Sequence, residues 1–139
     1  MRRLSEIIRR RETPTLPDSA TVQQACVEMS KRQLDFVLVT GSDGRLLGIF
    51  TDRDATGRVL ARGRNAKVTR LNEVMTATPS SMSSERTALE ALRLMWDGGF
   101  RHVPILCQGK LLGVVTRDDF CAEEWDCHER ERDLWEHMR

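Results

Sequence analysis

The chain lacks most of what would place it in a membrane, outside the cell or on duplex nucleic acid. Its apolar runs fall far short of the roughly 20 residues that cross a bilayer. Met1-Arg-Arg-Leu-Ser-Glu has no apolar signal-peptide core, so secretion is not expected. Lys and Arg number 22 against 21 Asp and Glu, and a formal charge of +1 gives no field for wrapping a duplex. Cysteines are few: Cys26, Cys107, Cys121 and Cys127 are expected as thiols in a reducing cytoplasm. No Ser-His-Asp or Cys-His arrangement, P-loop or dinucleotide glycine motif occurs. With no evident nucleophile or general base, an enzyme is not expected.

What is there is an ordinary globular composition, 40% hydrophobic and 31% charged over 139 residues, enough for one domain or two small ones sharing a core. It is organised around a stretch that occurs twice. GIFTDRD at residues 48–54 returns as GVVTRDD at residues 113–119, each after a Leu-Leu pair. The short apolar run reads as a buried strand, and Thr51 or Thr116 as the cap of a following helix that carries Asp54 or Asp119 in its first turn. Such a corner offers a hydroxyl, a carboxylate and free backbone N–H groups, which can hold a ribose and a phosphate. Taken singly, each Thr-x-x-Asp is also a plain helix cap.

The repeat extends well beyond that stretch. Leu71-Asn-Glu-Val-Met75 repeats Leu4-Ser-Glu-Ile-Ile8, and Thr87, Ala91 and Met95 repeat Thr21, Ala25 and Met29. Val103-Pro-Ile105 matches Val37-Leu-Val39. The offset drifts from 67 (Leu4 to Leu71) to 66 (Thr21 to Thr87) to 65 (Gly48 to Gly113), as duplication with loop trimming would leave it. That period is too long for a solenoid and fits two β-α-β-β-α units, each too thin to bury its own sheet. Residues 1–11 read as a short basic helix, 19–33 as a helix, 36–39 and 46–50 as a hairpin, and 52–61 as a helix. Residues 117–139 carry nine acids against four arginines and read as a long solvated helix, with Leu134 and Trp135 lacking cover.

This pattern resembles a tandem pair of cystathionine-β-synthase (CBS) domains, the Bateman module. The resemblance covers residues 4–121 and rests on Gly-φ-φ-Thr-x-x-Asp twice, Thr-x-x-x-Ala-x-x-x-Met twice and Phe100-Arg-His-Val-Pro-Ile105. The whole is most similar to small stand-alone bacterial proteins of this kind. The resemblance implies an α+β fold of two repeats, 1–63 and 64–121, packed sheet to sheet with pseudo-twofold symmetry, with 122–139 as a C-terminal helical tail. It implies a regulatory module that binds AMP, ADP, ATP or S-adenosylmethionine in interrepeat clefts, performs no chemistry, needs no cofactor and forms a homodimer.

Carried over residue by residue, the resemblance gives the second repeat's cleft Asp119 for the ribose hydroxyls and Thr116 for ribose or phosphate. Arg101 stands where a phosphate-contacting arginine is common, Arg53 is expected to reach the same phosphate from the other repeat, and His102 is either an assistant or a structural donor. The first repeat's cleft has the same pair, Thr51 and Asp54, but Asp35 and Asp118 replace the basic residues. Two carboxylates there should repel a phosphate, so S-adenosylmethionine suits that side better. Two other readings remain open. One is a structural or interaction dimer with empty clefts. The other is a metal- or redox-responsive protein using Cys121, Cys127 and His128, whose spacing matches no common zinc pattern.

Overall fold

In a computed structural model, which describes residues 1–8, 13–77 and 79–138, both copies of the repeat follow the same local rules. Thr21 caps α2 (Val22–Arg32) and Thr87 caps α5 (Ala88–Gly98). Each hydroxyl accepts the N–H three residues on, from Gln24 at 3.2 Å and Glu90 at 3.3 Å, and each threonine N–H donates back to that residue's side chain. The Thr-x-x-x-Ala-x-x-x-Met spacing then turns Ala25 and Met29, or Ala91 and Met95, onto the buried face. A left-handed residue ends each helix, Gln33 at φ 53° and Gly99 at φ 70°.

A hairpin follows each helix: β2 (Phe36–Thr40) with β3 (Leu46–Thr51), and β6 (His102–Cys107) with β7 (Lys110–Thr116). The short strands β1 (Thr15–Pro17) and β5 (Met82–Ser83) add in parallel to β2 and β6. Leu38 N–H donates to Pro14 O at 3.0 Å, but its counterpart Pro104 has no N–H to give. The second copy of that parallel pairing is accordingly one residue shorter.

The chain divides into two compact units that do not follow the order of the repeats. The first unit is Glu12–Pro79, and the second is Met1–Arg11 with Ser80–Arg139. The leading helices have changed sides. In the second unit α1 (Leu4–Ile7) docks beside α5, with Leu4 N–H on Arg86 O at 2.8 Å and Ala88 N–H on Arg2 O at 2.9 Å. In the first unit α4 (Leu71–Val74) docks beside α2 in the same way, with Leu71 N–H on Ala20 O at 2.9 Å and Val22 N–H on Thr69 O at 2.9 Å. Leu4 and Leu71 are fully buried in the two separate cores. After α4, β4 (Thr76–Ala77) pairs with β3 as a fourth strand. Gly48 permits this, because a Cβ there would lie 2.8 Å from the Thr76 carbonyl oxygen and 2.6 Å from Met75 Sδ.

Three expectations need correction or trimming. The helix after Thr51 is present, as α3 (Asp52–Asp54) widening into a π-turn at Ala55–Leu60. Its counterpart after Thr116 is only a 3₁₀ turn, Arg117–Asp119, broken by extended backbone at Phe120 (φ −96°, ψ 142°). Phe120 buries its ring in the second unit's core, which pulls the chain out of helical geometry there. The tail is indeed one helix, α6 (Ala122–His137), but it is not solvated on all sides. Glu124 and His128 are buried where it packs on α5 and the N-terminal segment. Among the described residues the basic N-terminal helix spans Leu4–Ile7; Arg9, Arg10 and Arg11 lie outside them. Among the described residues no helix is long and apolar enough to cross a membrane.

Candidate ligand site

The hairpin register assembles one corner of the second unit. His102, the first residue of β6, is paired directly with Thr116, the last of β7, and Arg101 precedes His102 in the chain. Asp119 folds back on this end: its Oδ2 accepts the Thr116 N–H at 2.6 Å and lies 3.4 Å from the Thr116 hydroxyl. Arg117 Nη2 donates to Phe100 O at 3.4 Å and ties the two strand ends together. Arg101, His102, Thr116 and Asp119 are all half-buried. A guanidinium, an imidazole, a hydroxyl and a carboxylate at one strand end can meet an anion and a pair of vicinal hydroxyls. The helix N-terminus expected to add its dipole is absent, because three residues of 3₁₀ turn align too few peptides. The polar groups this corner offers an anion are therefore side chains rather than a helix end.

The first unit's corner is built from the same register, with Phe36 opposite Thr51 and Asp35 in the place of Arg101. Asp35 O accepts the Asp52 N–H at 3.0 Å. Asp54 is only 7% exposed, and its Oδ2 accepts the Thr51 N–H at 3.0 Å and faces the hydroxyl at 3.3 Å. Its Oδ1 accepts the Thr76 hydroxyl at 3.3 Å and lies 3.7 Å from Arg58 Nε. Arg58 Nη1 also donates to Met75 O at 2.8 Å and Val74 O at 3.3 Å, closing the end of α4. Asp54 thereby holds α3, α4 and β4 together. Neither partner was among the candidates drawn from the sequence. Arg58, four residues after Asp54, was readable as an i,i+4 pair; Thr76, 22 residues on, leaves no local signal.

Arg53 is exposed on the first unit, its N–H donating to Asp52 Oδ1 at 2.8 Å, and Asp118 is exposed on the second. Cys121 is exposed, Cys127 half-buried and His128 buried, and all four cysteines are thiols. Burial pushes the Cys26 thiol up from its ordinary value. Among the described residues no three His, Cys, Asp or Glu side chains gather as a metal site.

The family model described as CBS domain matches residues 4–61 and 71–125. The chain is 40% identical over 101 residues to the CBS domain-containing protein CBSCBSPB5 of Arabidopsis thaliana, a match covering 73% of this chain and 18% of that protein. It thus spans about a fifth of the length of that curated relative. Among solved structures it resembles a CBS-domain containing protein from Agrobacterium tumefaciens, with TM-score 0.78 and 27% identity, over 85% of this chain and 95% of the other. It has the same fold as a CBS domain protein from Pyrobaculum aerophilum complexed with AMP, with TM-score 0.81 and 24% identity, over 92% and 97% of the two chains.

Proposed function

The chain belongs to the CBS domain family, and on that premise we propose that it is a non-catalytic regulatory module that binds an adenine nucleotide at the Arg101–His102–Thr116–Asp119 corner. The observation that carries this reading is the register that brings four polar side chains to one strand end: His102 pairs with Thr116, Arg101 precedes His102, and Asp119 Oδ2 accepts the Thr116 N–H at 2.6 Å. The first unit's corner has Asp35 and Phe36 in the places of Arg101 and His102. Asp119 accepts the ribose hydroxyls, Thr116 meets ribose or phosphate, and Arg101 meets the phosphate with His102 beside it. AMP, the ligand of the Pyrobaculum protein, is the first compound to try, with ADP and ATP next.

The Thr51–Asp54 corner is averse to phosphate. At an effective dielectric of about 20, a carboxylate roughly 4–6 Å from a phosphate charge opposes it by about 3–4 kcal/mol before salt screening. Asp35 in the place of Arg101 supplies that opposition, leaving this side to a phosphate-free compound such as S-adenosylmethionine. A calorimetric titration with AMP is expected to saturate near one equivalent per chain.

Assembly is the second part of the proposal. Leu134, Trp135 and Met138 are 63%, 63% and 72% exposed at the end of an otherwise charged helix. An apolar cluster of this kind, rimmed by charge, fits a homodimer contact. Sedimentation equilibrium at micromolar concentration should give twice the 15.9 kDa chain mass, and Leu134→Ser with Trp135→Ser should return it to a single chain. A 15.9 kDa species alone in the unaltered protein would contradict the dimer.

A further inference from the structure

We propose that α6 is an acid-released clasp: protonation of His128 undocks it from α5 and uncovers the side of α5 that carries Trp96. His128 is 3% exposed, and neither Nδ1 nor Nε2 has a hydrogen-bond partner. A neutral imidazole holds one N–H donor and one acceptor nitrogen, so both capacities go unmet while the clasp is closed. What keeps the ring in place is aromatic packing. Trp96 of α5 meets it edge-on with ring centroids 6.0 Å apart, and Trp125 of α6 does so at 6.4 Å.

The rim of this contact is ionic. Arg93 of α5 grips Glu131 of α6 with both ends of its guanidinium, Nε to Oε2 at 2.8 Å. Arg132 lays its guanidinium 3.5 Å from the centre of the Trp96 ring. At the start of α6, Arg2 holds the buried Glu124 through Nε at 3.1 Å and Nη2 at 2.7 Å. A pocket of about 400 Å³ opens beside His128, between Trp96 and Trp135. Outward movement of α6 would let water through this opening to both ring nitrogens.

The direction of the pH effect follows from the surroundings. Burial is the largest influence and opposes the charged ring, followed by Arg132; Glu131 and Asp97 favour it, and Arg93 opposes it most weakly. The balance holds His128 below its ordinary value of 6.5. A depressed histidine contributes stability that is complete above the unfolded value and lost as pH falls through the folded one. The carboxylates of the rim do not share this window. Burial raises Glu124, but the Arg2 hydrogen bonds and the Cys121 N–H outweigh it, and Arg93 holds Glu131 down, so both stay ionised below the usual carboxylate range. As pH falls below 6.5, the group at the centre of this contact that gains charge is His128.

All three tryptophans of the chain, Trp96, Trp125 and Trp135, sit on these two helices, so intrinsic fluorescence reads the clasp directly. On acidification the unaltered protein should show a reversible red shift with its midpoint below 6.5. His128→Phe keeps a packed ring that cannot titrate and should abolish the shift, whereas His137→Gln should retain it. A shift that persists in His128→Phe overturns the proposal, as does the absence of any shift in the unaltered protein before it unfolds in acid. If His128→Phe does not fold, NMR titration of the imidazole carbon-bound protons in the unaltered protein decides. An His128 midpoint at or above 6.5 would overturn it there.

Discussion

Replacing Leu4 by alanine is expected to cost about 3–4 kcal/mol of stability, and to cost it in the unit that contains the second repeat. Leu4 is fully buried in the cluster formed by Ala88, Ala91, Leu92, Met95, Val103 and Phe120, all from residues 80–139. Its backbone is also tied down, the N–H on Arg86 O at 2.8 Å, so α1 cannot shift easily to refill the cavity. Native-state hydrogen exchange resolves where the loss falls. Amides of α5, β6 and β7 should lose protection, while those of α2, β2 and β3 keep theirs. Leu71→Ala should give the opposite map, since Leu71 belongs to the core of the first unit. Loss confined to α2, β2 and β3 in Leu4→Ala would contradict the exchange of leading helices.

The second large effect is on binding. Asp119→Ala and Arg101→Ala should each weaken AMP affinity by roughly ten- to hundredfold, because a hydrogen bond to a charged group is worth about 1.5–3 kcal/mol. Asp54→Ala should behave differently. It removes the acceptor for Thr51 and Thr76 and the partner of Arg58, so its melting temperature should fall while its AMP affinity holds. The comparison separates a ligand-facing aspartate from a structural one. Unchanged affinity in both Asp119→Ala and Arg101→Ala, measured by calorimetry, would remove this corner from the account.

Much of this architecture was legible in the sequence, because its signals are local. Thr21 and Thr87 announce their helices through a residue three positions on, Gly41 and Gly44 announce a hairpin, and the duplicated Thr-x-x-Asp marks both corners. The signals that failed concern partners distant in sequence. Leu4 and Ile7 say that one side of α1 is buried, but a one-turn helix carries no information about which core will take it. Phe120 reads as a helical residue until its burial in the core pulls the backbone out straight. The docked face of α6 was hidden because its buried positions are Glu124 and His128. Glu124 can be buried only because Arg2, 122 residues away, neutralises it. The difference between the two corners was visible in part, as Asp35 against Arg101; the engagement of Asp54 by Thr76 was not.

The central claim is that adenine nucleotide binds on one side, at Asp119, and calorimetric titration with AMP tests it most directly. The unaltered chain, Asp54→Ala and Asp119→Ala should be measured together in one buffer, at ionic strength low enough to keep the Arg101 contribution. The account predicts saturation near one equivalent per chain in the unaltered protein, the same isotherm in Asp54→Ala, and a weakening of at least about tenfold in Asp119→Ala. Two equal sites in the unaltered protein, or an Asp119→Ala isotherm that overlays the unaltered one, would contradict it.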